Sequence, residues 1–483
     1  MKQVLLFLIS LLAAPIALAD VSVRDYGAAG NGVADDTEAV QRASAAAVAA
    51  NQALLFPPGT YRIATTTTVF AYVRFAKGAL VSPGPGVVFT LRSGLEAGPY
   101  QIFTTGAGTF KITSTDARVL LFFPQWFGAM GDGAHDDTAA FQATANLIAS
   151  STPSYAGLIG LTMGSYKITA TLQLSPPGYS IGTGIVGTNS EGVRIQWYGG
   201  DAPAIVLDGR TRGLRLENFT LENRGRPGLG VGIRFGGDVI GTNHSRGTIE
   251  RVRVSGFNEG IAIGDTARHA ASEMTFRQLL VDHCQSGIVV RDNQSVNLEF
   301  SQLGLSYNTV GFLALGGSGV HVIGGSVGHE AEDFAIRAEL KRWTIEKVVS
   351  EGARRFLTYG SEAGGDGNWR ASATIRENRV NNTAAPDKRA IRIHAAGNFT
   401  IDNNDLWEGH IALRTASPAN PGGHTNLLLT NNQVFGDVLL EDVDDPSAVT
   451  RLTSIGNSGG ANGVWRNWPD QFSVLLVPQG GAR

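Results

Sequence analysis

From about residue 180 onward, short apolar runs return again and again along the chain. β-branched or Leu-containing segments fall at 216–221, 249–254, 276–281, 300–305, 322–327, 345–349, 375–380, 401–406 and 428–434, with Gly or Asn between them. Their spacing of about 22 to 33 residues is that of a solenoid. No single run can bury its own apolar face. Stacked coils about 4.8 Å apart bury a continuous core. Loop insertions of different lengths account for the uneven period. Asn378, Asn404 and Asn432 each stand two residues before an aligned apolar position. One column of amides can donate and accept along the axis, so these three are expected to form a structural ladder.

The first part of the chain carries a duplication. Gly30-Asn31-Gly32-Val33-Ala34-Asp35-Asp36-Thr37 closes later with Pro57-Pro58-Gly59-Thr60-Tyr61-Arg62-Ile63. Gly131-Asp132-Gly133-Ala134-His135-Asp136-Asp137-Thr138 closes with Met163-Gly164-Ser165-Tyr166-Lys167-Ile168. An Ala-rich amphipathic segment, predicted helical, lies between the halves of each copy. A short oxygen side chain at a helix start accepts a free backbone N–H.

These motifs, with Asp25-Tyr26-Gly27-Ala28 before the first copy and Gln125-Trp126-Phe127-Gly128-Ala129 before the second, resemble the N-terminal signature of a known superfamily. It is the pectate-lyase-like right-handed parallel β-helix superfamily, with its rhamnogalacturonase- and epimerase-like members. The resemblance implies an all-β, right-handed, single-stranded parallel β-helix with N-terminal capping helices. It implies that Asp35, Asp36, Asp136 and Asp137 belong to the fold signature, and the four are read as capping residues ahead of a metal or acid–base pair. It specifies no one activity, and it admits a homotrimer. The expected organisation is a leader at 1–19, a β-rich capping module at 20–121 and a β-helix domain at 122–483.

The leader is read from Lys2, an apolar stretch from Val4 to Leu12, and Ala17-Leu18-Ala19 before Asp20. That is the order of a secretory signal peptide. A periplasmic or secreted location is therefore expected, with no membrane span. Composition agrees with a turn-rich β protein. Gly numbers 62 and Pro only 18 in 483 residues, and 43% hydrophobic content suffices for a large core. A net charge of −3 gives no global basic field for nucleic acid. The single cysteine, Cys284, excludes an internal disulfide and any zinc site of several thiolates.

Candidate chemistry follows from the register. The coils are aligned on Val254, Val281, Leu305, Val327, Val349, Val380 and Leu406. Two residues further on stand Gly256, His283, Tyr307, His329, Glu351, Asn382 and Glu408. His283, Tyr307, His329 and Glu351 are thus expected in one column on consecutive coils. Cys284, Asn308 and Glu330 form the next. Histidine and tyrosine can exchange protons when their surroundings tune them. The alternative is a set of ordinary turn residues on a solvated face.

Two reactions suit the column. In β-elimination on a uronate glycan, Tyr307 with His329 would fill the base and acid roles between them, and Lys347, Arg354 or Arg355 would neutralise the carboxylate. In hydrolysis, Glu330 and Glu351 would be a carboxyl pair separated by about 5 to 9.5 Å, with Glu332 and Asp333 in reserve. A polysaccharide partner is expected in both cases. Polygalacturonase-type hydrolases carry a Gly-His-Gly motif that is missing here. Val281-Asp282-His283-Cys284 resembles a short motif of calcium-dependent pectate lyases, but the arginine motif that accompanies it is absent. No cofactor is predicted, and the resemblance leaves room for a divalent cation such as calcium. Trp197, Tyr198, Trp343, Tyr359, Trp369 and Trp407 could stack on sugar rings or plug bends between coils. The preferred reading is a polysaccharide lyase. A glycoside hydrolase is the first alternative, and a non-catalytic glycan-binding or adhesin β-helix protein the second.

Overall fold

The computed structural model describes residues 20–466 except 107, 114–120, 151–156, 175–178, 182, 208–209, 237–242, 265–269, 293–294, 338–341, 361–370, 382–388, 395–396, 408, 415–424, 435–437, 442–448, 456 and 460–464. The expected leader at 1–19 lies outside the described residues. The chain divides into two compact units, 1–129 with 146–155, and 130–145 with 156–483.

In the first unit, three small sheets form from pairs that are all parallel. One joins Val21–Ser22, Leu54–Phe56, Val73–Phe75 and Leu95–Glu96. Alternating burial along Ala79–Pro83 shows a strand with one face in the core. The helix Thr37–Ala50 buries Ala39, Val40, Ala43 and Ala47, a 3.6-residue stripe. The paired aspartates organise the turn before it. Asp36 accepts from the Ala29 and Gly30 amides at 2.6 and 3.2 Å. Asp35 accepts from the Thr37 amide and hydroxyl at 3.0 and 2.5 Å. In the second copy, Asp137 accepts from Met130 and Gly131 at 2.8 and 3.2 Å, and Asp136 from Thr138 at 3.0 and 2.5 Å. Asp35 and Asp136 thus take up an amide at the helix start, whereas Asp36 and Asp137 hold the preceding turn, and Asp36, at the N-cap position, makes no side-chain cap bond.

The second unit is a parallel β-solenoid. Its longest sheet runs from Asp132–Asp136 to Ser458–Gly459. A twelve-stranded sheet runs from Leu172–Gln173 to Trp465–Arg466, and a four-stranded one from Tyr179–Ile181 to Ala270–Ser272. Leu216, Ile249, Phe276, Phe300, Val322, Ile345, Ile375, Ile401 and Leu429 follow one another in register. All nine are buried. Within this column Phe276 and Phe300 stack at 4.3 Å. Full burial of side chains of this size contributes about 1.5 to 3 kcal/mol each.

The corners of the coils have a fixed conformation. Every described non-glycine residue with positive φ, Asn51 excepted, lies in one of three columns. One runs through Asn218, Arg251, Gln278, Gln302, Lys347, Glu377, Asn403 and Asn431. Another holds Arg246, Glu273, Asn297 and Arg342, and the third His283, Tyr307 and His329. A left-handed residue turns the strand without ending its pairing. Each costs about 1 kcal/mol or more, which the coil-to-coil hydrogen bonds offset.

The expected amide ladder is present and longer than the sequence pattern indicated. Asn378 donates to Asn404, Asn404 to Asn432 and Asn432 to Asn457, each at 2.9 Å. Among the described residues no helix is long and apolar enough to cross a membrane.

Candidate functional site

Val281, Leu305 and Val327 are register partners on successive coils. His283, Tyr307 and His329 follow each by two residues and occupy a left-handed corner with φ of 55°, 58° and 66°. Backbone bonds staple this corner across the coils. The His283 amide donates to Ser306 O at 3.2 Å, and the His329 amide to Glu351 O at 3.0 Å. The side chains consequently stack as a column of rings. His283 and Tyr307 lie 5.2 Å apart at 25°, and Tyr307 and His329 4.8 Å apart at 6°. All three are exposed. Ring faces cover one another, so ring edges meet the solvent. Glycines flank the column at Gly256 and Gly352. A Cβ at Gly352 would come within 3.0 Å of His329 Nδ1.

The fourth expected member sits one position off. Val327 pairs with Ser350 and Gly328 with Glu351. Ser350 is buried at the inward position, while Val349 is partly exposed. His329 therefore stands beside Gly352, and Glu351 lies diagonal to it. The slip has a physical cause: the inward position of this coil is held by a polar residue, so alignment on the apolar Val349 shifts the coil by one.

Glu351 still belongs to the site. A cleft of about 220 Å³ opens on the sheet face beside the column, with His329 and Glu351 in its lining. Its floor is Gly304, Ser306, Ser326 and Gly328, and Leu280 closes the side opposite Glu351. The floor is low because two consecutive coils carry small residues at both outward positions. A Cβ at Gly328 would lie 2.1 Å from Glu351 O. The pair of patterns Gly304-Leu305-Ser306 and Ser326-Val327-Gly328 was the available sequence signal for this cleft.

A second feature missed in the sequence is the bond between Asp282 and His283. His283 Nδ1 lies 2.8 Å from Asp282 Oδ1. Arg253 donates to the same carboxylate at 2.8 and 3.2 Å, and the Ser255 hydroxyl at 2.5 Å. Burial opposes ionisation of Asp282. The bonds from Arg253, Ser255 and His283 outweigh it, and the pKa lies below the ordinary carboxylate value. This donor set does not fit calcium, because a guanidinium already fills the Asp282 carboxylate. Among the described residues no group of three or more His, Cys, Asp or Glu is arranged to hold a metal ion.

Behind the exposed column lies a buried one. Cys284, Asn308 and Glu330 are at most 4% exposed. Asn308 accepts from the Cys284 amide at 2.9 Å and donates to Val281 O at 3.0 Å and to Glu330 Oε1 at 3.2 Å. Asp333 is fully buried beside Glu330 and accepts from Ser350. Burial, reinforced by the neighbouring carboxyl, raises the Glu330 pKa, and burial raises that of Asp333. Glu330 therefore faces the interior, and the exposed Glu330–Glu351 pair required for hydrolysis is not formed. Of the expected cations, Arg355 bonds Glu332 at 2.9 Å, and Arg337 reaches the same carboxylate. Lys347 lies in a different corner column, 3.8 Å from Glu377. Arg354 is exposed on the turn after Gly352. Of the aromatic residues, Trp197, Trp343 and Tyr359 are buried plugs. Tyr198 and Trp407 are exposed, and Trp369 lies outside the described residues.

Residues 21–76 match the family described as "Rhamnogalacturonase A/epimerase, pectate lyase-like". Together with the parallel solenoid, this match is consistent with the pectate-lyase-like β-helix superfamily. No curated protein sequence matches the chain. Several solved structures are similar. ORF18 of Geobacillus virus E2 is 14% identical with a TM-score of 0.40, over 71% of this chain and 58% of the viral one. DFA-IIIase from Arthrobacter chlorophenolicus A6, without its lid and in complex with GF2, is 12% identical with a TM-score of 0.47, over 74% and 92%. The catalytic unit of the GH87 α-1,3-glucanase from Streptomyces thermodiastaticus is 15% identical with a TM-score of 0.31, over 94% and 70%.

Proposed function

We propose that this protein is an exported enzyme that cleaves a uronate-containing polysaccharide by β-elimination, at the cleft beside Tyr307 and His329. The observation that carries the reading is the parallel stack of Tyr307 on His329, whose imidazole lines the cleft. Stacked rings hide their faces, so the column is a poor platform for a sugar ring. Their edges carry a hydroxyl and imidazole nitrogens, the atoms that exchange protons. The neutral imidazole of His329 takes the proton α to the uronate carboxylate. The electrons of that C–H bond form the new double bond as the β carbon–oxygen bond breaks. The Tyr307 hydroxyl gives its proton to the departing oxygen. Arg354, exposed two residues beyond Gly352, neutralises the carboxylate. The leader-like residues 1–19 support export.

The test is incubation of the chain from Asp20 onward with a panel of uronic-acid and neutral polysaccharides. An unsaturated sugar end, seen by its new absorbance, marks the lyase. Reducing ends without that absorbance mark a hydrolase, and binding without cleavage marks an adhesin.

A further inference from the structure

We propose that Glu330 and Asp333 share one proton, and that in this form Glu330 is a ladder rung positioning the corner that presents Tyr307 and His329. The functional half of this statement rests on the reading of that corner as the working site.

Two corners of the solenoid carry the same pattern of amide bonds. Asn378 accepts from the Val348 amide at 3.0 Å, donates to Ile345 O at 3.0 Å and donates to the next rung, Asn404, at 2.9 Å. Asn308 makes the same three bonds at another corner: from Cys284, to Val281 and to Glu330. The rung after Asn308 is therefore Glu330, where the other ladder has an amide.

An amide brings its own donor; a carboxylate brings none. Glu330 Oε2 and Asp333 Oδ1 are both buried and find no donor. The two carboxyls nonetheless act on each other as close neighbours, each shifting the other's ionisation. Two ionised carboxylates in that position would repel, whereas one shared proton satisfies both oxygens. Ser350 holds Asp333 from the other side. It occupies the inward position that Val281, Leu305 and Val327 hold on earlier coils.

The charged surroundings do not remove the need for that proton. Neither carboxyl forms an ion pair among the described residues. Glu332, next to Asp333, is committed to Arg337 and Arg355. Arg354 and Arg355 meet the pair through the main chain: the Arg354 amide donates to Glu330 O, and Arg355 O accepts from the Asp333 amide. Cys284 is neutral, its thiol pushed up to about 11 by burial. His329 and Glu351 are on the solvent side.

Both carboxyl pKa values are raised by burial. A raised acid pKa means that the folded chain holds a proton the unfolded chain has lost. Stability is full below the ordinary carboxyl range and falls as pH rises, until the folded pair gives up its proton. In Glu330→Gln and in Asp333→Asn, the amide supplies the donor covalently.

The experiment compares Tm against pH from about pH 5 to about pH 9 for wild type, Glu330→Gln and Asp333→Asn. The proposal expects a declining Tm in wild type and a flatter profile in the variants. In parallel, NMR reads the ring-current displacement of the His329 signals by Tyr307, with signals assigned against His329→Ala. It should shrink at the alkaline end in wild type and persist in Glu330→Gln. Equal slopes in all three proteins would overturn the shared proton. A pH-independent ring-current shift in wild type, with a declining Tm, would overturn the positioning role. If one variant does not fold, the other reports the same slope. Neither readout uses a substrate, so this result stands apart from whether the protein proves to be a lyase.

Discussion

Gly328 pairs with Glu351, which leaves His329 beside Gly352. A left-handed glycine against an imidazole thus ends the ring column. Because a Cβ at Gly352 would reach His329 Nδ1 at 3.0 Å, the size of this residue sets where the imidazole rests.

Gly352→Ala is expected to cost about 1 to 2 kcal/mol through its left-handed backbone and also to displace His329. Gly256→Ala serves as the comparison. Its φ is similarly positive, but its nearest neighbours are atoms of Asn223 at ordinary contact distance. Both variants should lose similar Tm. Only Gly352→Ala should lose turnover. Equal turnover in the two would contradict the role given to His329.

Tyr307→Phe keeps the ring and removes the hydroxyl. The stack with His329 is preserved, so stability should change by no more than about 0.5 kcal/mol, as at other exposed positions. Turnover should fall by about 100-fold or more, the usual contribution of a positioned acid or base. Steady-state kinetics and a denaturant titration separate the two effects.

Asn404→Ala removes the centre of the amide ladder. It strands the Asn378 N–H and the Ile375 carbonyl in the core. Each buried orphan costs about 1 to 3 kcal/mol, so a loss of about 3 kcal/mol is expected from chemical denaturation. A loss under about 1 kcal/mol would mean that water replaces the amide.

Asp282 sets the acid limb of stability. Burial raises its pKa, but the bonds from Arg253, Ser255 and His283 lower it further, so the folded value lies below that of the unfolded chain. The stabilisation is present above the ordinary carboxylate value and is lost as pH falls through the folded value. Asp282→Asn should show a lower Tm at neutral pH and a shallower decline in acid. Parallel acid limbs in the two proteins would contradict this.

The solenoid was legible because apolar runs repeat with Gly and Asn between them. The column of His283, Tyr307 and His329 was legible for a narrower reason: the three runs before it, 276–281, 300–305 and 322–327, are equal in length. Glu351 was displaced by one because Ser350 takes an inward position and Val349 an outward one, against the usual preference. Asn457 escaped because Gly459, two residues on, is no large apolar anchor like Val380, Leu406 and Val434. In the sequence, Glu330 reads as half of a carboxyl pair with Glu351, and Asp333 as a reserve for it. A buried acid is recognisable only once its partner is known, and Asn308, Asp333 and Ser350 reach Glu330 from three parts of the chain. The cleft floor was a pattern of small residues whose meaning depends on two coils lying side by side.

The most direct measurement is the absorbance of unsaturated sugar ends formed from a uronic-acid polysaccharide by wild type and by His329→Ala. The account predicts steady formation by wild type and none by the variant, with the variant equally folded. Equal formation by both, or reducing ends from wild type with no unsaturated product, would contradict it.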